Sequence, residues 1–176
     1  MIHFGEDPFG TPVELREPAR RFRGRLVAPV TGWISIAEDG TPAAITVSSI
    51  MVAEGTPAAI VGLLDPLSEF WSALEHTERF VVHVFDRSHR RVADQFAGRY
   101  PGPDARFENV ELSTSSWGPV VEHVKDRAYC TLASFTEIGD LLLVRGDIDK
   151  LELADADLDP LAYFRGHYQD VKPRHT

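Results

Sequence analysis

"GWISIAEDGTPAAITVSSIMVAEGTPAAIVGLL", residues 32–64, decides the fold of this chain. It opens on a run of β-branched and aromatic residues, breaks at Asp39-Gly40, and resumes as an extended run through Val47. An Asp-Gly pair between two such runs is the signal of a tight hairpin, so two antiparallel strands are expected. A second break at "EGTP" (54–57) is followed by "AAIVGLL" (58–64), which lacks polar alternation and reads as a buried strand. Between these elements lie Thr46, Ser48 and Ser49, three hydroxyls set among apolar neighbours. A buried hydroxyl without a partner costs on the order of 1–3 kcal/mol, so each must bond local backbone, face water or face a polar ligand.

Outward from this segment the elements remain short. "RLVAPVTGWISIA" (25–37) extends the first strand upstream. Downstream, "DPLSEFWSALEHT" (65–77) predicts a helix with Asp65 as cap, Pro66 at the first helical position, and Leu67, Phe70, Trp71 and Leu74 on one apolar face. "RFVVHVF" (79–85) is a strand, and "RSHRRVADQFAG" (87–98) a second helix packed through Val92, Ala93, Phe96 and Ala97. "RYPGPDARFENVELSTSSWGP" (99–119) has the composition of a long loop able to cover a site. "AYCTLASFTEI" and "LLLVRGDIDKLEL" flank a Gly139-Asp140 turn as a further hairpin, before the ending "DPLAYFRGHYQ". Strands joined by hairpins, with two inserted helices, favour an antiparallel barrel over a doubly wound parallel sheet.

Composition narrows the function. The chain has 176 residues, 43% hydrophobic and 26% charged, a formal net charge of −9 and one cysteine, Cys130. A single domain is expected: an arm at 1–24 rich in proline and arginine, read as solvated and partly helical, a barrel over 25–170, and a tail at 171–176. The acidic balance argues against nucleic acid, and no apolar run is long enough to span a membrane. No secretory signal is visible, so a cytoplasmic location is expected. One cysteine excludes an intrachain disulfide and thiolate-rich metal sites, and the seven histidines show no ligand spacing, so no metal is expected. Nucleophile-elbow, zinc-helix, phosphate-loop and dinucleotide fingerprints are all missing. Any redox chemistry must therefore come from a bound cofactor.

The motifs taken in order resemble one family. "TVSSIMV" (46–52) is similar to the T-x-S-S-φ-x-V signature of the flavin reductase-like, FMN-binding split-barrel proteins. "GTPAAIVGLLDPLSEFWSALEHTERFVVHVF" resembles that family's strand, serine-bearing helix start and F-V-V-N-V-L strand, and "HRRVADQFAG" its Q-R-x-L-A-x-x-F-A helix. "IGDLLLVRGDIDKLEL" resembles the x-G-D-H-x-L-x-x-G-x-V hairpin, and "DPLAYFRGHY" the P-L-x-Y-x-R-G-x-Y ending, so the likeness runs from about residue 20 to 168.

The resemblance implies a mainly β protein, a six-stranded antiparallel Greek-key split barrel with short flanking helices, forming a homodimer that binds FMN. It implies hydride transfer from NAD(P)H to flavin, with FAD or riboflavin as alternative flavin substrates and a partner monooxygenase as recipient. The alternative is a non-catalytic flavin carrier or sensor. Carried over by position, Thr46, Val47, Ser48 and Ser49 line the edge of the isoalloxazine ring. Ser68 stands near the phosphate, and His89 and Arg90 lie in the phosphate-side loop, where a helix start and a cation favour an anion. The plainer readings are a first-turn helix residue for Ser68 and a solvated helix start for His89, Arg90 and Arg91. Tyr168 either closes over the flavin or packs the C-terminal segment on the partner subunit. Trp33 and Trp71 read as core. Three positions depart from the family pattern: Leu141 for the histidine of G-D-H, His83 for the strand asparagine, and Phe70 for a threonine beside Ser68.

Overall fold

The computed structural model describes residues 18–102, 104–155 and 159–171. Its centre is a seven-stranded, wholly antiparallel sheet. The strands are β2 (Thr31–Ile36), β3 (Pro42–Val47), β4 (Ile50–Ala53), β5 (Ala59–Leu64), β6 (Arg79–Val84), β9 (Arg127–Ile138) and β10 (Leu141–Glu152). They are ordered β3-β2-β6-β9-β10-β5-β4. The remaining elements are β1 (Ala28–Pro29), β7 (Leu112–Ser115), β8 (Gly118–Val121), β11 (Leu161–Phe164), β12 (His167–Asp170) and helices α1 (Pro18–Arg23), α2 (Glu69–Thr77) and α3 (Arg90–Phe96).

The two edge strands, β3 and β4, are consecutive in the chain, and only Ser48 and Ser49 separate them. Leaving one edge of the sheet and entering the other within two residues requires the sheet to curl until its edges approach. The Leu63 amide donates to the Ser49 carbonyl at 3.2 Å, extending the β4–β5 pairing by one rung into the corner. β3 pairs only with β2, so its outer edge stays open and the barrel is split there. The expected six strands are β2, β3, β5, β6, β9 and β10, with short β4 added along β5.

Side-chain alternation explains the two larger cores. Inside, Trp33 stacks on Phe80 with centroids 5.1 Å apart, and Phe70 of α2 meets both rings edge-on. Ile60, Leu64, Val82, Leu142 and Val144 complete this interior. These rings lie directly on glycine backbone. A Cβ at Gly62 would stand 2.7 Å from the Trp33 ring, and one at Gly146 would stand 2.5 Å from Phe80. Outside, Ile34, Ala44, Phe85, Ala93, Phe96 and Leu161 form a second core beneath α3 and β11.

The helices begin later than the residue pattern predicts. Asp65 does not cap α2: its carboxylate takes the Leu67 amide at 2.8 Å in a local turn, and Ser68 is the N-cap, accepting from the Trp71 amide at 3.2 Å. Leu67 consequently falls outside the helix and is exposed, while Phe70, Trp71, Ala73 and Leu74 form the buried face. Likewise residues 87–89 form a 3-10 turn, with Asp86 bonded to the Ser88 amide, before α3 starts at Arg90. On α3 the packed face includes Gln95, and Ala97 is exposed. The long loop carries the β7–β8 hairpin within it. The residues of α1 are all exposed; residues 1–17, which make up most of the expected arm, and the expected tail at 172–176 lie outside the described residues. No helix among the described residues is long and apolar enough to cross a membrane.

Candidate functional site

The site grows from the Ser48–Ser49 corner. Of its three hydroxyls, two serve the fold. Thr46 Oγ1 donates to the Ala93 carbonyl of α3 at 2.6 Å, and Ser49 Oγ lies 3.2 Å from the Leu63 carbonyl and 3.3 Å from its amide. Ser48 Oγ has no hydrogen-bond partner among the described residues, nor do the backbone N–H groups of Ser48 and Ser49 find an acceptor there. All three groups belong to half-buried residues. Unpaired donors at a partly covered turn satisfy themselves with water or with a ligand carrying acceptors. Val47, by contrast, points into the barrel interior and is buried.

Two neighbouring elements bracket this corner. On one side Ser49 is tied to Leu63, from which the chain runs through the Asp65 turn to Ser68 at the start of α2. On the other, Thr46 is tied to Ala93, one helical turn beyond Arg90. Thr46 is thus bonded to α3 three residues beyond Arg90, and Ser49 to β5 five residues before Ser68. Ser68 also donates to the Asp65 carbonyl at 2.8 Å, so its hydroxyl is engaged as a cap.

Among the cations at the start of α3, partners differ. Arg87 lies 3.3 Å from Asp170, and Arg91 lies 3.5 Å from Glu108. The guanidinium of Arg90 meets no carboxylate among the described residues; it sits over the Tyr168 ring, 5.2 Å from the centroid. His89 Nδ1 is 2.7 Å from the Asp86 carboxylate and 3.3 Å from the Asp86 amide. The shorter contact needs a proton on Nδ1, so the amide approach is not a bond in that same state. His89 is therefore a local buttress, stacked on Phe85, and does not stand free for an anion.

Tyr168 packs within its own chain. Its hydroxyl donates to Asp94 at 2.9 Å, its ring meets Tyr163 edge-on, and Arg90 and Arg99 both lie over it. Burial, then the neighbouring Asp94 charge, pushes its phenol well above the usual range, so it stays protonated. This cluster fastens the β11–β12 hairpin to α3. His83 is wholly buried: Nε2 accepts from the Val121 amide at 3.0 Å, which leaves the proton on Nδ1 for the Gly32 carbonyl at 3.2 Å. Burial lowers its pKa to about 3, so the ring is neutral and structural. Leu141 opens β10 opposite Ile138, half-buried. Trp33 and Trp71 are core, as expected. Trp117 donates from its indole nitrogen to Asp149 at 2.7 Å, pinning the β7–β8 turn to β10. Burial raises the Cys130 thiol, which is therefore no nucleophile.

Residue-by-residue reading missed the loop that borders the site. Gln95, 2% exposed, donates from its side-chain nitrogen to the carbonyls of Ala105 and Glu108 at 2.8 and 2.9 Å. This holds Arg106 against the open edge of β3, where it donates to the Ala44 carbonyl. A polar glutamine on the apolar face of α3 was the available signal. Between α2, the β2–β3 turn and this loop runs an open groove of about 890 Å³, lined by Pro42, Ala43, Ser72, His76, Arg106 and Phe107 among others. It adjoins β3 but does not contain the 46–49 corner.

The family model described as flavin reductase like domain matches residues 23–172. A flavin reductase from Pseudomonas putida is 26% identical over 150 residues, covering 85% of this chain and 86% of the relative. Among solved structures, a nitrilotriacetate monooxygenase component B homolog from Mycobacterium thermoresistibile superimposes with a TM-score of 0.79 at 25% identity, covering 88% of this chain and 86% of that one. The NADH:FAD oxidoreductase of Streptomyces globisporus gives 0.78 at 20% identity over 93% of this chain and 100% of that one, and shares the fold. With its split barrel, its Thr-Val-Ser-Ser corner and a match across nearly all the described residues, this chain belongs to the flavin reductase-like domain family.

Proposed function

We propose that this protein is an NAD(P)H-dependent flavin reductase that takes FMN at the Ser48–Ser49 corner, acts in the cytoplasm as a homodimer, and supplies reduced flavin to a partner monooxygenase. The observation that carries the reading is the corner itself: two adjacent N–H groups and the Ser48 hydroxyl, unpaired among the described residues, at the join between the sheet's two edges. Such donors suit the carbonyl-bearing rim of a flavin. When bound, the flavin supplies the two-electron acceptor for hydride from a reduced nicotinamide.

The protein's part is orientation and charge. Thr46 and Ser49 hold the corner rigid through Ala93 and Leu63, so the free N–H groups are fixed before a ligand arrives. Arg90, lying over the Tyr168 ring, is the cation assigned to the phosphate. Tyr168 and Val47 act behind these groups: one supports Arg90, the other anchors β3 in the barrel. No acid or base is required for hydride transfer, so the absence of a catalytic triad is no obstacle. Dimerisation has a ready surface. The outward face of β4, β5, β10 and β9 carries Met51, Val61, Leu63, Leu143 and Ile138 together with Arg145 and Thr136, and Met51 and Ile138 are exposed.

Leu141, where many family members carry histidine, favours the second reading, a flavin carrier or sensor without turnover. Anaerobic addition of NADH or NADPH to the flavin-loaded protein separates the two. Bleaching of the flavin absorbance is expected of the reductase, and an unchanged spectrum with retained flavin assigns the carrier. Charge reversal at Arg90 should weaken FMN more than riboflavin, which lacks the phosphate; equal responses would remove Arg90 from the phosphate site.

A further inference from the structure

We infer that Arg106 is the latch on a second pairing surface, the free edge of β3, and keeps that edge from joining the same edge of another copy of this chain. β3 pairs with β2 alone, so one side of it has no partner strand. Backbone groups alternate in direction along a strand, and the Ala44 carbonyl points away from β2 to meet Arg106. Pro42, Ala44 and Thr46 are therefore the residues that face the free edge. The stretch "AAITV" (43–47) is uncharged, apolar and rich in β-branched residues, a composition that pairs edge to edge when left bare.

Each outward residue is closed by a different device. Pro42 has no N–H to donate. Thr46 is tied by its hydroxyl to the Ala93 carbonyl, so α3 covers that end of the edge. Ala44, between them, depends on Arg106, whose guanidinium takes its carbonyl with one nitrogen while the other stands 3.5 Å from Glu69. The latch is held from behind: buried Gln95 binds the carbonyls of Ala105 and Glu108, and Phe107 packs on Phe96 at 5.5 Å. Glu38, Glu69, Asp104 and Glu108 line the groove beside Pro42 and Ala43, so two approaching edges also bring like charges together. With Arg106 gone, the N–H and carbonyl of Ala44 in two copies can exchange both bonds about a two-fold axis. This contact is separate from the homodimer face proposed on β4, β5, β9 and β10.

Gel filtration with light scattering tests this as particle mass relative to the wild-type protein, with thermal melts to show that each variant is folded. Arg106→Met keeps a long side chain and removes every donor. It should at least double the mass in a concentration-dependent way, more completely at about 0.5 M NaCl, where the carboxylates are screened. Arg106→Lys keeps a charged donor and should stay at the wild-type mass. Adding Pro42→Val to Arg106→Met returns an N–H to the edge and should strengthen the association. A folded Arg106→Met protein at wild-type mass at low and high salt overturns the latch. Association that ignores Pro42→Val overturns pairing through this edge. If Arg106→Met does not fold, Glu69→Lys decides: this exposed position sets a like charge beside Arg106 and drives it off Ala44, so increased mass supports the latch and wild-type mass overturns it.

Discussion

His83→Asn should change how this protein tolerates acid. In the native state the imidazole is buried between the Gly32 carbonyl and the Val121 amide, and burial, reinforced by nearby Arg127, holds its pKa at about 3 against 6.5 for an unhindered histidine. The folded protein therefore keeps a neutral ring while the unfolded chain takes a proton as pH falls below 6.5. Stability that is complete above this value is lost on acidification until the folded form also titrates near pH 3. Each pH unit inside that window costs ~1.4 kcal/mol, so by pH 4.5 the histidine alone destabilises by about 2–3 kcal/mol. Asparagine carries an N–H donor that can replace Nδ1 toward Gly32 without a titrating group; its shorter side chain gives up the Val121 bond, an offset in stability that does not vary with pH. Urea unfolding of the wild-type protein and the variant between pH 7 and 4.5 measures the difference. The gap between their unfolding free energies should move in favour of asparagine by ~1.4 kcal/mol per pH unit below 6. Parallel pH profiles would show that His83 is not held neutral in the fold, and the assignment of its proton would fall with them.

Two further substitutions probe the link between core and corner. Gly62→Ala places a Cβ 2.7 Å from a Trp33 ring already boxed by Phe70 and Phe80, so a loss of about 1–3 kcal/mol and a melting point lower by about 5 °C are expected. An unchanged melting curve would refute the packing account. Ser48→Val and Ser49→Val should separate binding from stability. The first should weaken FMN with the melting point intact, because its hydroxyl bonds nothing in the fold. The second should also lower stability by about 1 kcal/mol through the lost Leu63 bonds, read by thermal melts beside flavin titration. Identical behaviour of the pair would sink the distinction.

The corner was legible because its two causes are both local: punctuation at Asp39-Gly40 and at Gly55, and hydroxyls interrupting an apolar run. Which hydroxyl does what was not. Thr46 finds its partner 47 residues away on α3 and Ser49 finds its own 14 away on β5, and no spacing rule reaches that far. The start of α2 was misplaced because Asp65 and Ser68 are both competent caps; the turn that Asp65 makes with Leu67 decides between them. Arg106 carried no signal, since it lies in a loop whose shape depends on a buried glutamine from another element.

By itself the sequence determined the strands, the hairpins, the acidic balance and the order of motifs, because these depend on composition, side-chain periodicity and turn chemistry over a few residues. Only the tertiary structure decided that β3 and β4 are opposite edges of one sheet, so that Ser48 and Ser49 become the seam of a barrel instead of an ordinary strand end. It also chose, among eight candidate residues, those whose polar groups remain free once folding has satisfied the others. Those outcomes follow from sheet closure and long-range hydrogen bonding, which bring together groups that the chain keeps far apart.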